Sequence, residues 1–390
     1  MAYLELHKAH DWTFPVPIAY GPGRLAEIAS FCTKAGSHKP LIVTDRGSVD
    51  LHFIDQIQQY LSGAGMMTAI YSDISPNPRD DEIAAGRAMY REGKHDGIIA
   101  IGGGSGMDGG KAICLTANND IELLNFNYDR AVPDVIGQPF PPLITIPTTA
   151  GTGAETESTG MITDTTRRMK LCIWHPLLKP SVALLDPELT IGLPANLTAW
   201  TGCDAMIHAI EAYCVPGLHP LCDGVALEAL RLIHAWLPSA VEKGDSVEAR
   251  GGMLLGSCLA GVAFLKGLGL VHAISHMVGA EYDTHHGLTN AIVLPAALRF
   301  NAPNIRDKVP AMAVAMQTEG SGFDEFYATI CSRLDQFEIP NTLVDIGVPR
   351  DCVKEMARRA YQDAAASTNP RKLTVSDIEG VIEDALTTGR

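Results

Sequence analysis

The chain has 390 residues, 46% of them hydrophobic, and a formal charge of −15 at pH 7. That length exceeds what one hydrophobic core usually supports, so two domains are expected. The acidic balance argues against nucleic acid or an anionic membrane as the main partner, because both need clustered Lys and Arg. A small anionic substrate in a local cationic pocket stays open.

The N-terminus, Met1-Ala-Tyr-Leu-Glu-Leu-His-Lys8, lacks a basic segment followed by an apolar run, so no signal peptide is indicated. Pro40–Asp45 then reads as a buried strand, Asp80–Glu92 has helical spacing, and Gly97–Ile101, Leu143–Ile146 and Val182–Asp186 read as further strands. Strands alternating with helices predict a parallel α/β domain. Beyond about Leu197 the pattern is helical throughout: Leu197–Cys214, Leu221–Ala240, Ser246–Leu265, His272–Glu281, Ile305–Met316 and Val353–Asp363. The breakers Pro187, Gly192 and Pro194 mark the change. The expected plan is an α/β dinucleotide-binding domain over 1–190 and an all-α domain over 191–390. The longest apolar stretch, Gly251–Leu265, stops at Lys266 and is too short to span a bilayer. Nine cysteines are scattered with no CxxC pair, which predicts buried thiols in a reducing compartment and hence a cytoplasmic protein.

Ile101-Gly-Gly-Gly-Ser-Gly-Met-Asp-Gly-Gly-Lys111 follows a strand and opens a helical pattern. Glycines let the backbone approach a pyrophosphate, and the helix start offers free N–H groups and the positive dipole end. Gly104, Gly106 and Gly109 satisfy GxGxxG, but no acid stands about 20 residues on, as the usual dinucleotide fingerprint requires. Ser105 and Ala112 exclude a Walker A loop. Asp45, at the end of the first strand, is placed either to accept from ribose hydroxyls or simply to cap a turn. Pro147-Thr-Thr-Ala-Gly-Thr-Gly-Ala-Glu155, after the third strand, offers hydroxyl and amide donors or a plain loop.

The helical half carries the second constellation. Asp204 and His208 stand four apart on a helical pattern, as do His272 and His276, so each pair shares a face. His285 and His286 follow, and four histidines thus crowd into the fifteen residues from His272 to His286. The stretch is otherwise apolar, and burying several imidazoles without partners is costly. One carboxylate with imidazoles suits Fe²⁺ or Zn²⁺ better than Mg²⁺ or Ca²⁺. Spacing alone leaves open which histidines ligate.

These residues resemble the iron-containing, group III alcohol dehydrogenases, a family that includes lactaldehyde reductase and 1,3-propanediol dehydrogenase. The resemblance runs from Pro17–Tyr20–Gly21 to Phe300–Asn301. It rests on Pro76-Asn-Pro78, Gly102-Gly-Gly-Ser105, Thr148-Thr-Ala-Gly-Thr-Gly-Ala-Glu155, Asp186-Pro187, Asp204-xxx-His208 and the His272…His276…His286 block. It implies the two-domain plan of dehydroquinate synthase, with Asp204, His208, His272 and His286 as metal ligands. The dinucleotide would touch Asp45, Asn77, Gly103, Gly104, Ser105, Thr148 and Thr149, with Lys170 as the family's lysine near the cofactor. His276 matches an extra histidine beside the metal and is the candidate proton relay. Two positions depart from the pattern: the glycine run usually continues Ser-Pro and here reads Ser105-Gly106, and His285 stands where many relatives have Pro before the last ligand.

The resemblance implies an NAD-linked oxidoreductase, with Fe²⁺ or Zn²⁺, acting on a short primary alcohol or diol and giving the aldehyde or ketone. A homodimer or larger assembly is the family's habit. Competing readings are a hydroxy-acid dehydrogenase or transhydrogenase of the same superfamily, a dehydroquinate synthase-like cyclase, and a non-catalytic NAD- or metal-binding protein. The cyclase needs a basic phosphate-binding set on the helical domain, where Lys266 is nearly alone.

Overall fold

The computed structural model describes residues 16–135, 140–167 and 169–390. They divide into two compact units, one of residues 16–149 with 153–191, the other of residues 192–390 with 150–152.

The first unit is a six-stranded parallel sheet. Its strands are β1 (Ile18–Tyr20), β2 (Pro40–Val43), β3 (Ala69–Tyr71), β4 (Gly97–Gly102), β5 (Leu143–Pro147) and, last in sequence, β8 (Val182–Leu185), in the spatial order β1-β8-β5-β4-β2-β3. Four helices accompany it: α1 (Ile28–Ala35), α2 (His52–Gly63), α3 (Asp80–Glu92) and α4 (Gly104–Ala117). Successive side chains of a strand point to opposite faces, and here both faces are apolar. Leu41, Val43, Ile98, Ala100 and Leu143 join Ile83 and Tyr90 of α3 and Ile113 of α4 in one cluster. Ile42, Ile99, Ile101, Ile144 and Ile146 join Ile28 of α1 and Phe53, Ile54, Ile57 and Leu61 of α2 in another. That is why the strands read as continuous apolar runs rather than alternating ones.

The chain runs from β2 outward to β3, then returns to place β4 on the other side of β2. The order therefore reverses between β2 and β4, and the crevice at the carboxyl ends of such strands is where open α/β sheets bind ligands.

Beside the parallel sheet lies an element that the sequence pattern did not show. β6 (Thr159–Asp164) and β7 (Met169–Trp174) form a separate antiparallel ribbon, with Thr159 opposite Trp174 and Asp164 opposite Met169. Lys111 fastens it to α4: the buried ammonium donates to the carbonyls of Ala154 (3.0 Å) and Thr159 and pairs with Asp108 at 3.1 Å. The other oxygen of Asp108 accepts from Met161 N at 3.1 Å. Lys111 is thus a bolt within the fold.

The second unit is helical: α5 (Ala195–Cys214), α6 (Pro220–Glu242), α7 (Val247–Ala263), α8 (Leu270–Tyr282), α9 (His286–Ile305), α10 (Val309–Ala315), α11 (Phe323–Gln336), α12 (Val353–Ala360), α13 (Ala364–Ser367) and α14 (Val375–Thr387). Among the described residues no strand follows β8. The expected helix Ile305–Met316 is instead the end of α9 and, after a break, α10. α9 escaped notice because Pro295 and Pro303 lie inside it, and an internal proline removes a helical hydrogen bond. Gly287 to Leu298 are all buried, so packing on every side holds the helix through the proline. The stretch Val247–Lys266 is long and apolar enough to cross a membrane by length and composition, but 72% of it is buried within the fold, against α5 and α6.

Candidate active site

At the carboxyl ends of β2, β4 and β5 the sequence-predicted cofactor residues converge. Gly102 adopts a φ of +143°, a region that side chains rarely enter, and a Cβ there would lie 2.7 Å from Asp45 Oδ2. A Cβ on Gly106 would meet the Ile101 carbonyl at 2.8 Å, and one on Gly110 the Ala100 Cβ at 2.4 Å. These glycines let α4 start directly above β4 and lie flat on it. Gly103 is the N-cap and Gly104 the first residue, so the free N–H groups of a 14-residue helix gather there. The turn at Ser105-Gly106 is closed by Ser105 Oγ donating to the Pro76 carbonyl at 2.6 Å.

The remaining groups ring this helix start. Asp45 accepts from Gly47 N at 3.0 Å and Ser48 Oγ at 2.9 Å, so it caps its own turn while lying against the glycine run. A carboxylate has about four lone-pair positions, so both roles fit one side chain. Lys170, on β7, reaches Asn77 Oδ1 at 3.3 Å. Thr148 N donates to the Gly102 carbonyl at 2.9 Å, and a Cβ on Gly103 would contact Thr149 at 3.6 Å. Thr44 Oγ1 is buried beside this end of β2 with no hydrogen-bond partner.

In the helical unit, α5 carries Asp204 and His208, α8 carries His272, and His286 opens α9. One ligand-type atom from each of the four lies within 4.8 Å of all the others. Asp204 Oδ1 is 3.8 Å from His272 Nε2 and 3.7 Å from His286 Nε2; Asp204 Oδ2 is 3.9 Å from His208 Nδ1. These are distances between acceptors gathered around a common point, too long for direct hydrogen bonds. Asn290 is the donor among them: its Nδ2 lies 2.7 Å from Asp204 Oδ1, 3.2 Å from His272 Nε2 and 3.1 Å from His286 Nε2. An amide has two N–H protons for those three acceptors. Its own Oδ1 and the Nδ1 of His208 are buried without partners. A divalent cation at that point would satisfy the acceptors that one amide cannot, and a carboxylate with three imidazoles suits Fe²⁺ or Zn²⁺. Burial holds the His272 imidazole well below its ordinary pKa, so it is neutral at pH 7 and able to ligate.

The other histidines of the block sit differently. His276 stacks on His286, with ring centroids 5.4 Å apart and planes at 12°, and its Nδ1 donates to Asp363 Oδ2 at 3.0 Å. The ring of His285 packs on Trp200 with centroids 5.0 Å apart, while its Nδ1 accepts from Leu288 N to cap α9. The unexpected imidazole at position 285 therefore has a structural occupation.

Residues 15–187 match the family described as iron-containing alcohol dehydrogenase, and residues 198–386 match its C-terminal portion. The chain belongs to the iron-containing alcohol dehydrogenase family. It is 35% identical over 383 residues to the NAD-dependent methanol dehydrogenase of Bacillus methanolicus, covering 96% of this chain and 100% of that one. It is also 35% identical over 390 residues to the 1,3-propanediol dehydrogenase of Klebsiella pneumoniae, covering 97% and 99%. A solved 1,3-propanediol oxidoreductase superposes with a TM-score of 0.92 at 34% identity, over 97% of this chain and 100% of that one.

Within this family member three residues touching the site were not singled out by the sequence motifs. Asn290 lies one helical turn after His286, on the same face of α9. Asp363 is remote in sequence and N-caps α13 through its other oxygen, which accepts from Ala365 N at 2.8 Å. Glu211 follows Asp204 by seven residues, two helical turns, and that periodicity was the signal to find it. It touches His272 at 2.6 Å, and burial pushes its carboxyl up to about 7 against the pull of its N–H donors.

Proposed function

We propose that this alcohol dehydrogenase transfers a hydride reversibly between NAD and a short primary alcohol or diol, giving the aldehyde or ketone. Asp204, His208, His272 and His286 hold Fe²⁺ or Zn²⁺. Gly103, Gly104 and Ser105 at the start of α4, with Asp45, Asn77, Thr148, Thr149 and Lys170, hold the dinucleotide. The observation that carries the reading is the buried, donor-poor convergence of Asp204 with three imidazoles.

When bound, the metal supplies a Lewis acid that makes an alcohol hydroxyl acidic near neutral pH, and the nicotinamide takes the hydride. The protein does the rest. The α4 N–H groups neutralise pyrophosphate charge. Asp45 offers oxygen to ribose hydroxyls and repels a 2′-phosphate. His276, held by Asp363, is placed beside His286 to carry away the hydroxyl proton. Oxidation of the alcohol thus balances as one hydride to the cofactor and one proton to the relay. The partners on this reading are small molecules. Lys266, the cation nearest the metal motifs in sequence, is paired with Asp223 at 2.6 Å, which disfavours anionic hydroxy acids and sugar phosphates. A reducing, cytoplasmic setting agrees with nine cysteines that are all free thiols.

The test is a screen of short alcohols, diols, aldehydes and hydroxy acids with NAD⁺ and NADP⁺, beside elemental analysis of the same sample. Turnover of primary alcohols or diols with added NAD⁺ and about one metal per chain is expected. Preference for hydroxy acids, or turnover independent of added NAD⁺, would overturn it.

A further inference from the structure

Glu211 makes three hydrogen bonds at once. Its Oε1 accepts from Val271 N at 2.8 Å, and its Oε2 accepts from Gly269 N at 3.0 Å and lies 2.6 Å from His272 Nδ1. The two amides are those of the N-cap Gly269 and of Val271, the second residue of α8, so the carboxylate sits at the positive end of that helix. Room for it exists because residue 269 is glycine: a Cβ there would lie 2.8 Å from Glu211 Oε1. Glu211 is 6% exposed and His272 1%, so water does not compete for these bonds.

We infer that Glu211 is a positioning residue that selects the metal-binding tautomer of His272. The inference rests on the metal reading above. A neutral imidazole carries one proton, on either nitrogen, and the partner of one nitrogen fixes the state of the other. Glu211 already accepts two backbone N–H bonds, so it meets His272 Nδ1 as an acceptor and keeps the proton there. Nε2, the atom that faces Asp204 Oδ1 at 3.8 Å, then presents its lone pair to the cluster. The same carboxylate couples α5 to α8, so Asp204, His208 and His272 are aligned through one side chain. A glutamine at 211 weakens this hold. Val271 N occupies Oε1, while Gly269 N and His272 Nδ1 share Oε2, so either orientation of the amide sets its NH₂ against a backbone N–H and leaves Nδ1–H at best a neutral acceptor. The Nε2–H tautomer, which cannot ligate, then gains population.

The experiment uses Zn²⁺ competition against a chromogenic chelator, with ¹⁵N-histidine NMR of the metal-stripped protein. Glu211→Gln is expected to weaken Zn²⁺ by about 10–100-fold, and to shift the His272 ring resonances toward the Nε2–H pattern. In a His272→Ala background the same substitution is expected to change affinity by less than about twofold, since the coupled partner is gone. A comparable loss in both backgrounds overturns the inference, because the effect then comes from helix packing. If Glu211→Gln fails to fold, the wild-type spectrum decides: Nε2–H on His272 overturns the inference and Nδ1–H supports it. Wild-type protein that takes up no Zn²⁺ or Fe²⁺ defeats the metal reading itself. Wild-type uptake with an unchanged Glu211→Gln variant defeats the tautomer role alone.

Discussion

Asp45 and Asp204 are both carboxylates at the centre of a candidate binding site, and the fold holds them in opposite ways. Asp45 is half-buried, leans on Gly102 and Gly106, and is already satisfied by its own turn. Asp204 is 2% exposed and faces three imidazoles with one amide donor among them. The first site is built mainly from backbone: helix-start N–H groups brought close by glycines, with side chains trimming the edges. The second is built from side chains on three helices, and its polar groups are left unbalanced. A backbone site tolerates the absence of its ligand, because its N–H groups can turn to water. A buried side-chain site does not, which makes its chemistry the easier to infer.

The sharpest way to break this contrast is to remove one imidazole. His272→Ala should lower metal content and turnover together, the rate by orders of magnitude, since it removes one of the four groups gathered around the ion. Elemental analysis beside kcat checks it, and full activity with full metal content would sink the assignment. His276→Ala should differ in kind. It removes a neighbour of the cluster, so most of the metal should stay while kcat falls about 10–100-fold. His285→Ala should keep both, because that ring packs on Trp200 and caps α9. Loss of metal from His285→Ala with retention in His286→Ala would show that the ligand is the other histidine of the pair.

The same contrast explains what was legible in the sequence. Asp204, His208 and His272 stand out because i, i+4 spacing on an apolar helix has few innocent explanations. The four central strands of the sheet stand out because burial on both faces leaves uninterrupted apolar runs. Glu211 and Asp363 do not stand out, since acids in helices and caps are commonplace, and their importance comes from partners 61 and 87 residues away. β1 and β3, at three residues each, are too short to show a pattern. The β6–β7 ribbon interleaves polar residues on its open face and depends on Lys111 and Asp108 for its place. For Asp45 the sequence left two roles open, and the structure has it capping its turn at the very spot where a ribose could be met.

A smaller effect is expected at the backbone-built site. NAD(H) should be preferred over NADP(H), because Asp45 would oppose a 2′-phosphate. Two unit charges about 4 Å apart repel by about 1–4 kcal/mol in partly solvated surroundings, roughly tenfold or more in affinity. Asp45→Gly should narrow the gap between the two cofactors by about that factor, read as the ratio of kcat/KM values. A wild-type preference for NADP(H) would show that Asp45 does not meet the ribose.

The smallest effect concerns a buried carboxyl in the α/β unit. Glu157 is 3% exposed, and burial pushes its pKa from 4.5 to about 8, with Lys111 pulling the other way. A carboxyl whose pKa is raised by folding favours the folded state while it is protonated. Its contribution is present at low pH and is lost as pH rises from about 4.5 through about 8. Glu157→Gln mimics the neutral form at every pH and removes that loss. The variant should therefore melt close to wild type near about pH 5 and several degrees higher near about pH 9, with the gap opening between. The measurement is Tm across pH for both proteins in one buffer series at fixed ionic strength. A gap that stays flat would mean that Glu157 is ionised throughout and that the Lys111 ammonium compensates its burial. The α/β unit would then balance its buried carboxylate with a fixed cation, where the helical unit leaves Asp204 to be balanced by a bound one.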